Sequence, residues 1–146
     1  MNRIQKISWL MVISIGIAVL LSSAAVGILY YYFGFPKAGA GFAFLSIAGI
    51  GGLGPIIFKK DPGAVTCDER DRTINSIAAK AGFGVSYLLF GVLCMGFWEY
   101  FRAEGKVPVE ILPLIWMFAG LACFFVHALT ILILYGRDKS CQGELK

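Results

Sequence analysis

The chain has 146 residues, 58% of them hydrophobic and only 15% charged, with a net charge of +4 and a mean hydropathy of +0.77. Soluble domains of this size carry about 45–50% apolar and about 25% charged residues, so an ordinary water-soluble fold is excluded and the solvent is lipid. The positive balance calls for no nucleic acid, because an anionic inner leaflet is the more economical partner for cations at membrane boundaries.

Four stretches lack Asp, Glu, Lys and Arg: Ile7 to Pro36, Ala38 to Phe58, Ala81 to Trp98 and Ile111 to Gly136. At about 1.5 Å per residue each can cross about 30 Å of hydrocarbon, once helical periodicity extends the third at both ends. They predict spans at 7–33, 38–58, 79–101 and 111–135 of a single transmembrane domain covering 1–146, with a loop at 59–78 and a tail at 136–146.

The first span offers Ala18 with Ser22 and Ser23 with Gly27, small residues that let helices approach closely. The same stretch has the layout of a signal peptide: Arg3 and Lys6, an apolar run to Leu21, then "S23-A24-A25". Apolar sequence running on through Phe35 favours a retained span, and cleavage would leave the rest in the same orientation.

The second span opens with "G39-A40-G41" and ends with "G49-I50-G51-G52-L53-G54-P55". Gly49, Gly51, Gly52 and Gly54 read as a flat packing face that also weakens the helix, since Gly costs up to about 1 kcal/mol against Ala and Pro removes a donor. Carbonyls freed at this depth need partners inside the protein. The alternatives are a broken helix lining a small-molecule or ion path, as transporters use, or a simple kink. No strand precedes these glycines, so a nucleotide-binding loop is not supported.

In the central loop, "D61-P62-G63" is a turn signal and "T66-C67-D68-E69" fits a capping box at a helix start. Ile74, Ile77, Ala78, Ala81 and Val85 then recur at spacings of three and four, predicting a short interfacial helix with one apolar stripe that leads into the third span. Asp68 with Arg72 and Glu69 with Arg72 are spaced to pair, each pair contributing only about 0.2–0.5 kcal/mol in water.

The run "D68-E69-R70-D71-R72-x-I74", followed by small residues and a membrane span, resembles the DER-x-x-x-I juxtamembrane motif of small four-pass predicted membrane proteins of unknown function in bacteria and archaea. The resemblance implies a prokaryotic cytoplasmic membrane, makes Asp68, Glu69, Arg70 and Arg72 the family-defining positions, and implies no reaction. Catalysis through Mg²⁺ and phosphate would need a second acidic motif, and Asp61 is the only other acid in the loop. Asp68, Glu69, Arg70, Asp71 and Arg72 therefore read as a helix start and anchor able to dock "R137-D138-K139", or as a surface for a cytoplasmic protein or anionic lipid.

His127, the lone histidine, is the one ionisable side chain deep in a span. Counted from the span ends, Ser14, Tyr87 and the Gly49–Gly51 carbonyls come to about the same depth, predicting a small polar layer if the helices turn these groups inward. One histidine excludes haem held by paired histidines within the chain and a membrane zinc enzyme. Cys94 and Cys123 differ in predicted depth by about 8 Å, too far for a disulfide, and Cys67 with Cys141 offers only two ligands. No catalytic residue, cofactor or metal site is expected.

Ten cations fall on one side of a four-pass arrangement: Arg3, Lys6, Lys59, Lys60, Arg70, Arg72, Lys80, Arg137, Lys139 and Lys146. Only Lys37, Arg102 and Lys106 fall on the other, so both termini and the central loop are expected in the cytoplasm. Aromatic anchors agree, with "Y30-Y31-Y32-F33" and "W98-E99-Y100-F101" at the outer boundary and Trp9 and Tyr135 at the inner one. The expectation is an all-α, four-span bundle, self-associating through glycine faces, whose charged helix contacts a cytoplasmic protein partner as a non-enzymatic accessory or regulator. A small oligomeric transporter or channel using the Gly-rich half of span two and His127 ranks second, and a membrane enzyme third.

Overall fold

A computed structural model of the chain describes residues 3–58, 69–103, 105–109 and 111–143. Every regular element among them is helical: α1 (Arg3–Phe33), α2 (Phe35–Ala38), a 3₁₀ helix (Gly39–Leu53), α3 (Gly54–Ile57), α4 (Glu69–Phe101) and α5 (Ile111–Gly143). Arg3–Phe33, Gly39–Ile57, Glu69–Phe101 and Ile111–Gly136 are each long and apolar enough to cross a membrane, and no more than 22% of the most apolar window of any is buried. Helices satisfy their own backbone groups, so such open apolar flanks are stable in lipid.

The chain divides into two compact units, one of Met1–Thr66 with Tyr135–Lys146 and one of Cys67–Leu134. In the first unit α1 and the second span form an antiparallel hairpin. It reverses at Gly34, whose φ of +76° is a left-handed conformation that glycine adopts without a Cβ clash. The Gly34 N–H donates to the Tyr30 carbonyl at 3.1 Å and closes the helix end.

Small residues form the seam of this hairpin. α1 buries Ser8, Ser14, Ile15, Ala18 and Ser22. Ala18 with Ser22 is therefore a packing pair, whereas Ser23 turns its hydroxyl to the Val19 carbonyl at 2.8 Å and Gly27 borders open space. The Ser22 hydroxyl donates to the Gly41 carbonyl at 3.2 Å, a buried bond between the two spans.

On the facing span the inward positions recur every three residues, Ala38 and Gly41, then Leu45, Ala48, Gly51 and Gly54, with one step of four between the runs. Three residues per turn is the 3₁₀ period, and its rise is about 2.0 Å. Long 3₁₀ runs are uncommon because side chains eclipse at i,i+3; here most of the eclipsed inward row is Gly or Ala. The rise also sets the register. Ile7 meets Gly54, while Ser22 and Val26 meet Gly41, so about 17 α-helical residues cover about 26 Å on one side. The 13 or so residues from Gly41 to Gly54 match that at the 3₁₀ rise and would fall short by about 6 Å as an α-helix. The helix weakening expected just before Pro55 thus takes the form of a change of helix type over Gly39–Leu53.

In the second unit α4 and α5 are joined by a short connection. Gly105, with φ +66°, repeats the device of Gly34, its N–H reaching the Phe101 carbonyl at 3.1 Å. α4 buries Ile74, Ala78 and Gly82, and at Gly82 the backbones nearly touch. A Cβ added there would lie 2.7 Å from the Cys123 carbonyl oxygen and 3.3 Å from the His127 Cβ.

The helix expected to lead into the third span forms the first turns of α4, which runs unbroken from Glu69 to Phe101. Of the predicted apolar stripe Ile74 and Ala78 are buried, while Ile77 is 47% and Val85 43% exposed, so the packed row is turned toward Ala78 and Gly82. Lipid gives large apolar side chains no reason to turn inward, so small residues occupy the interior.

Candidate functional site

The charged start of α4 sorts onto two sides of the helix at about 100° per residue. Asp71 shares an arc of about 80° with Ile74, Ala78 and Gly82, and it is half-buried where Glu69, Arg70 and Arg72 are exposed. Asp71 therefore extends the packing row, and Glu69 and Arg72 project from the opposite side. The Thr73 hydroxyl donates back to the Glu69 carbonyl at 3.0 Å within the same turn. Asp68, with Thr66 and Cys67 of the expected capping box, lies outside the described residues, as does Asp61.

The three intramembrane polar candidates are placed as follows. Ser14 sits in the first unit against Gly51, its Oγ 2.7 Å from where a Cβ would stand, and donates to the Met11 carbonyl at 3.0 Å. His127 sits in the second unit, half-buried, with its Cβ on Gly82. Tyr87 does not join it: five residues beyond Gly82 puts it about 140° around α4, and it is 78% exposed.

The packing glycines separate in the same way. Gly51 touches Met11 and Ser14, and Gly54 touches Ile7, while Gly49 and Gly52 have nothing within 4 Å of an added Cβ. Cys94 and Cys123 are both free and half-buried. With the Cys123 carbonyl at the level of Gly82, Cys94 lies about 18 Å farther along α4, more than twice the separation expected from span ends.

A family model described as predicted membrane protein, DUF2178, matches residues 4–139. The chain belongs to this DUF2178 family. No curated protein and no solved structure matches it. With four helices able to cross a bilayer, this DUF2178 member is a multi-pass membrane protein, and the match spans both the charged start of α4 and His127.

The sequence reading of this DUF2178 chain missed one residue with a defined structural task. Arg3 donates through Nε to the Phe58 carbonyl and through Nη2 to the Pro55 carbonyl at 3.0 Å. Helix C-termini leave their last carbonyls without partners, and a guanidinium fork satisfies two while opposing the negative end of the dipole. The signal was divided between the ends of the hairpin, in a basic residue at the start of α1 and in the helix end at Ile57 and Phe58 that leaves those carbonyls without backbone donors. At other helix ends the cations lie over rings, Lys37 5.5 Å from the Phe33 centroid and Arg102 5.2 Å from Trp98. Arg102 also pairs with Glu99 at 3.7 Å, both side chains being exposed.

Proposed function

We propose that this protein is a non-enzymatic accessory or regulatory component of a prokaryotic cytoplasmic membrane, with both termini inside, and that it presents the first turn of α4 to a cytoplasmic protein partner. The observation that carries this reading is the two-sidedness of that turn. Glu69, Arg70 and Arg72 are exposed while Asp71 continues the packed row, and the turn is continuous with a 33-residue helix that forms the third span. A partner engaging the outer charges would act on an element whose other side is the seam at Gly82.

The test is a photo-crosslinking amino acid placed in cells at position 70, 72 or 74. The reading predicts one discrete protein adduct from positions 70 and 72 and none from 74. It further predicts that the Glu69→Arg, Arg72→Glu double exchange leaves the protein level unchanged and removes the adduct from position 70. Absence of any protein adduct from the two exposed positions would overturn it.

A second reading, a small oligomeric transporter or channel using the Gly-rich half of span two and His127, is favoured by the open space at Gly49 and Gly52 within the first unit. It predicts ion or solute flux in proteoliposomes that falls when Gly49 and Gly52 are enlarged to Val or His127 to Leu. A flux indistinguishable from empty vesicles removes it.

A further inference from the structure

The outward side of α4 carries a pattern that packing does not use. Arg72, Ser76 and Lys80 are all exposed and lie within an arc of about 80°, over about 12 Å of helix. Below Lys80 on the same side come Gly84 and Gly91, each with nothing within 4 Å of an added Cβ. Their missing side chains leave a shallow channel between Tyr87, 78% exposed, and Leu88, 68% exposed. From Lys80 to Gly91 is about 17 Å, close to the roughly 15 Å of hydrocarbon in one leaflet.

We infer that this face is a binding site for one anionic phospholipid. Arg72, Ser76 and Lys80 donate to the phosphate and its head group, and one acyl chain lies along Gly84 and Gly91. Charge complementarity and the vertical order of the groups both favour a lipid: donors stand above, at head-group height, and an open apolar channel runs one leaflet deep below. Lys80 can lay its methylene stem on the helix and keep its ammonium at the phosphate. Glu69 lies on the same side, about 16 Å above Lys80 but only about 5 Å above Arg72, so the phosphate seats toward the Lys80 end and Arg72 reaches the head group from above. The site requires neither the partner reading nor a particular orientation of the chain.

The test uses the full chain in bilayers containing spin-labelled phosphatidylglycerol or phosphatidylcholine, reading the motionally restricted fraction by electron spin resonance. The wild type is expected to prefer phosphatidylglycerol, and the preference should fall about five-fold for each cation removed in Arg72→Gln and Lys80→Gln. The charge-keeping Arg72→Lys with Lys80→Arg should retain it, and Gly84→Leu with Gly91→Leu should abolish it with every cation in place. A preference that follows Lys59→Gln and Lys60→Gln instead, or that inorganic phosphate removes at equal concentration, overturns the site. So does a change in dimer fraction on Gly84→Leu with lipid preference intact, which would assign the face to a second copy. If a variant fails to fold, a photoactivatable phosphatidylglycerol on the wild type decides: its adducts must map to the peptide containing Gly84 to Gly91, and adducts confined to other helices contradict the proposal.

Discussion

At the scale of single residues, the glycines of this chain have unequal roles that their spacing alone does not show. A methyl at Gly41 would stand 2.6 Å from the Val26 amide nitrogen, and one at Gly82 2.7 Å from the Cys123 carbonyl oxygen. Both obstacles are backbone and cannot move aside, so Gly41→Ala and Gly82→Ala should each destabilise by about 1–3 kcal/mol, the usual range for overpacking. A methyl at Gly54 would meet the Cγ2 of Ile7 at 2.8 Å, with the Ile7 Cβ and Cγ1 at 3.4 Å, and a β-branched side chain on a helix cannot swing aside, so this substitution should also destabilise. Gly49→Ala and Gly52→Ala meet nothing and should be neutral or stabilising by up to about 1 kcal/mol. Reversible unfolding in mixed micelles measures all five, and equal losses at Gly49 and Gly82 would refute the ranking. Arg3→Ala should lose about 1 kcal/mol through two partly exposed charge-assisted bonds, and Arg3→Lys part of that, because a point charge cannot reproduce the fork.

At the scale of elements, the four spans were legible because hydropathy needs only composition and length. The rotation of α4 was not, because the predicted stripe applied a rule made for water. Ile74, Ile77, Ala78, Ala81 and Val85 read as one apolar stripe, of which Ile74 and Ala78 are buried while Ile77 and Val85 are exposed, and the inward row is Asp71, Ile74, Ala78 and Gly82. In lipid the row of small residues is the better guide. The 3₁₀ geometry of the second span was hidden for a related reason: Gly39–Leu53 has no charged side chain to give its helical pattern a phase. Its length offers a direct measurement. Positions 39 and 52 both face open space, and spin labels there in a cysteine-free background should report a backbone separation of about 26 Å for the 3₁₀ helix against about 20 Å for an α-helix. A distribution centred on the shorter value would contradict the register drawn between α1 and the second span.

At the scale of the whole molecule, sequence and structure agree on an all-helical chain with four membrane-length helices, and the family match extends over nearly all of it. The candidate site was only partly legible. Cation counting drew attention to the start of α4, but the division of its charges between a packed and an open side needs the helix phase that Ile74, Ala78 and Gly82 supply. His127 was flagged by its depth, while its neighbour Gly82 depended on which faces of α4 and α5 meet. The orientation on which the partner reading stands comes from ten cations against three. The most direct test is therefore two-sided labelling of single cysteines at positions 72 and 106 in intact cells and in inverted vesicles. The account predicts that position 72 reacts with an impermeant reagent only in inverted vesicles and position 106 only in intact cells. Labelling of position 72 from outside intact cells would contradict the cytoplasmic surface and the function proposed for it.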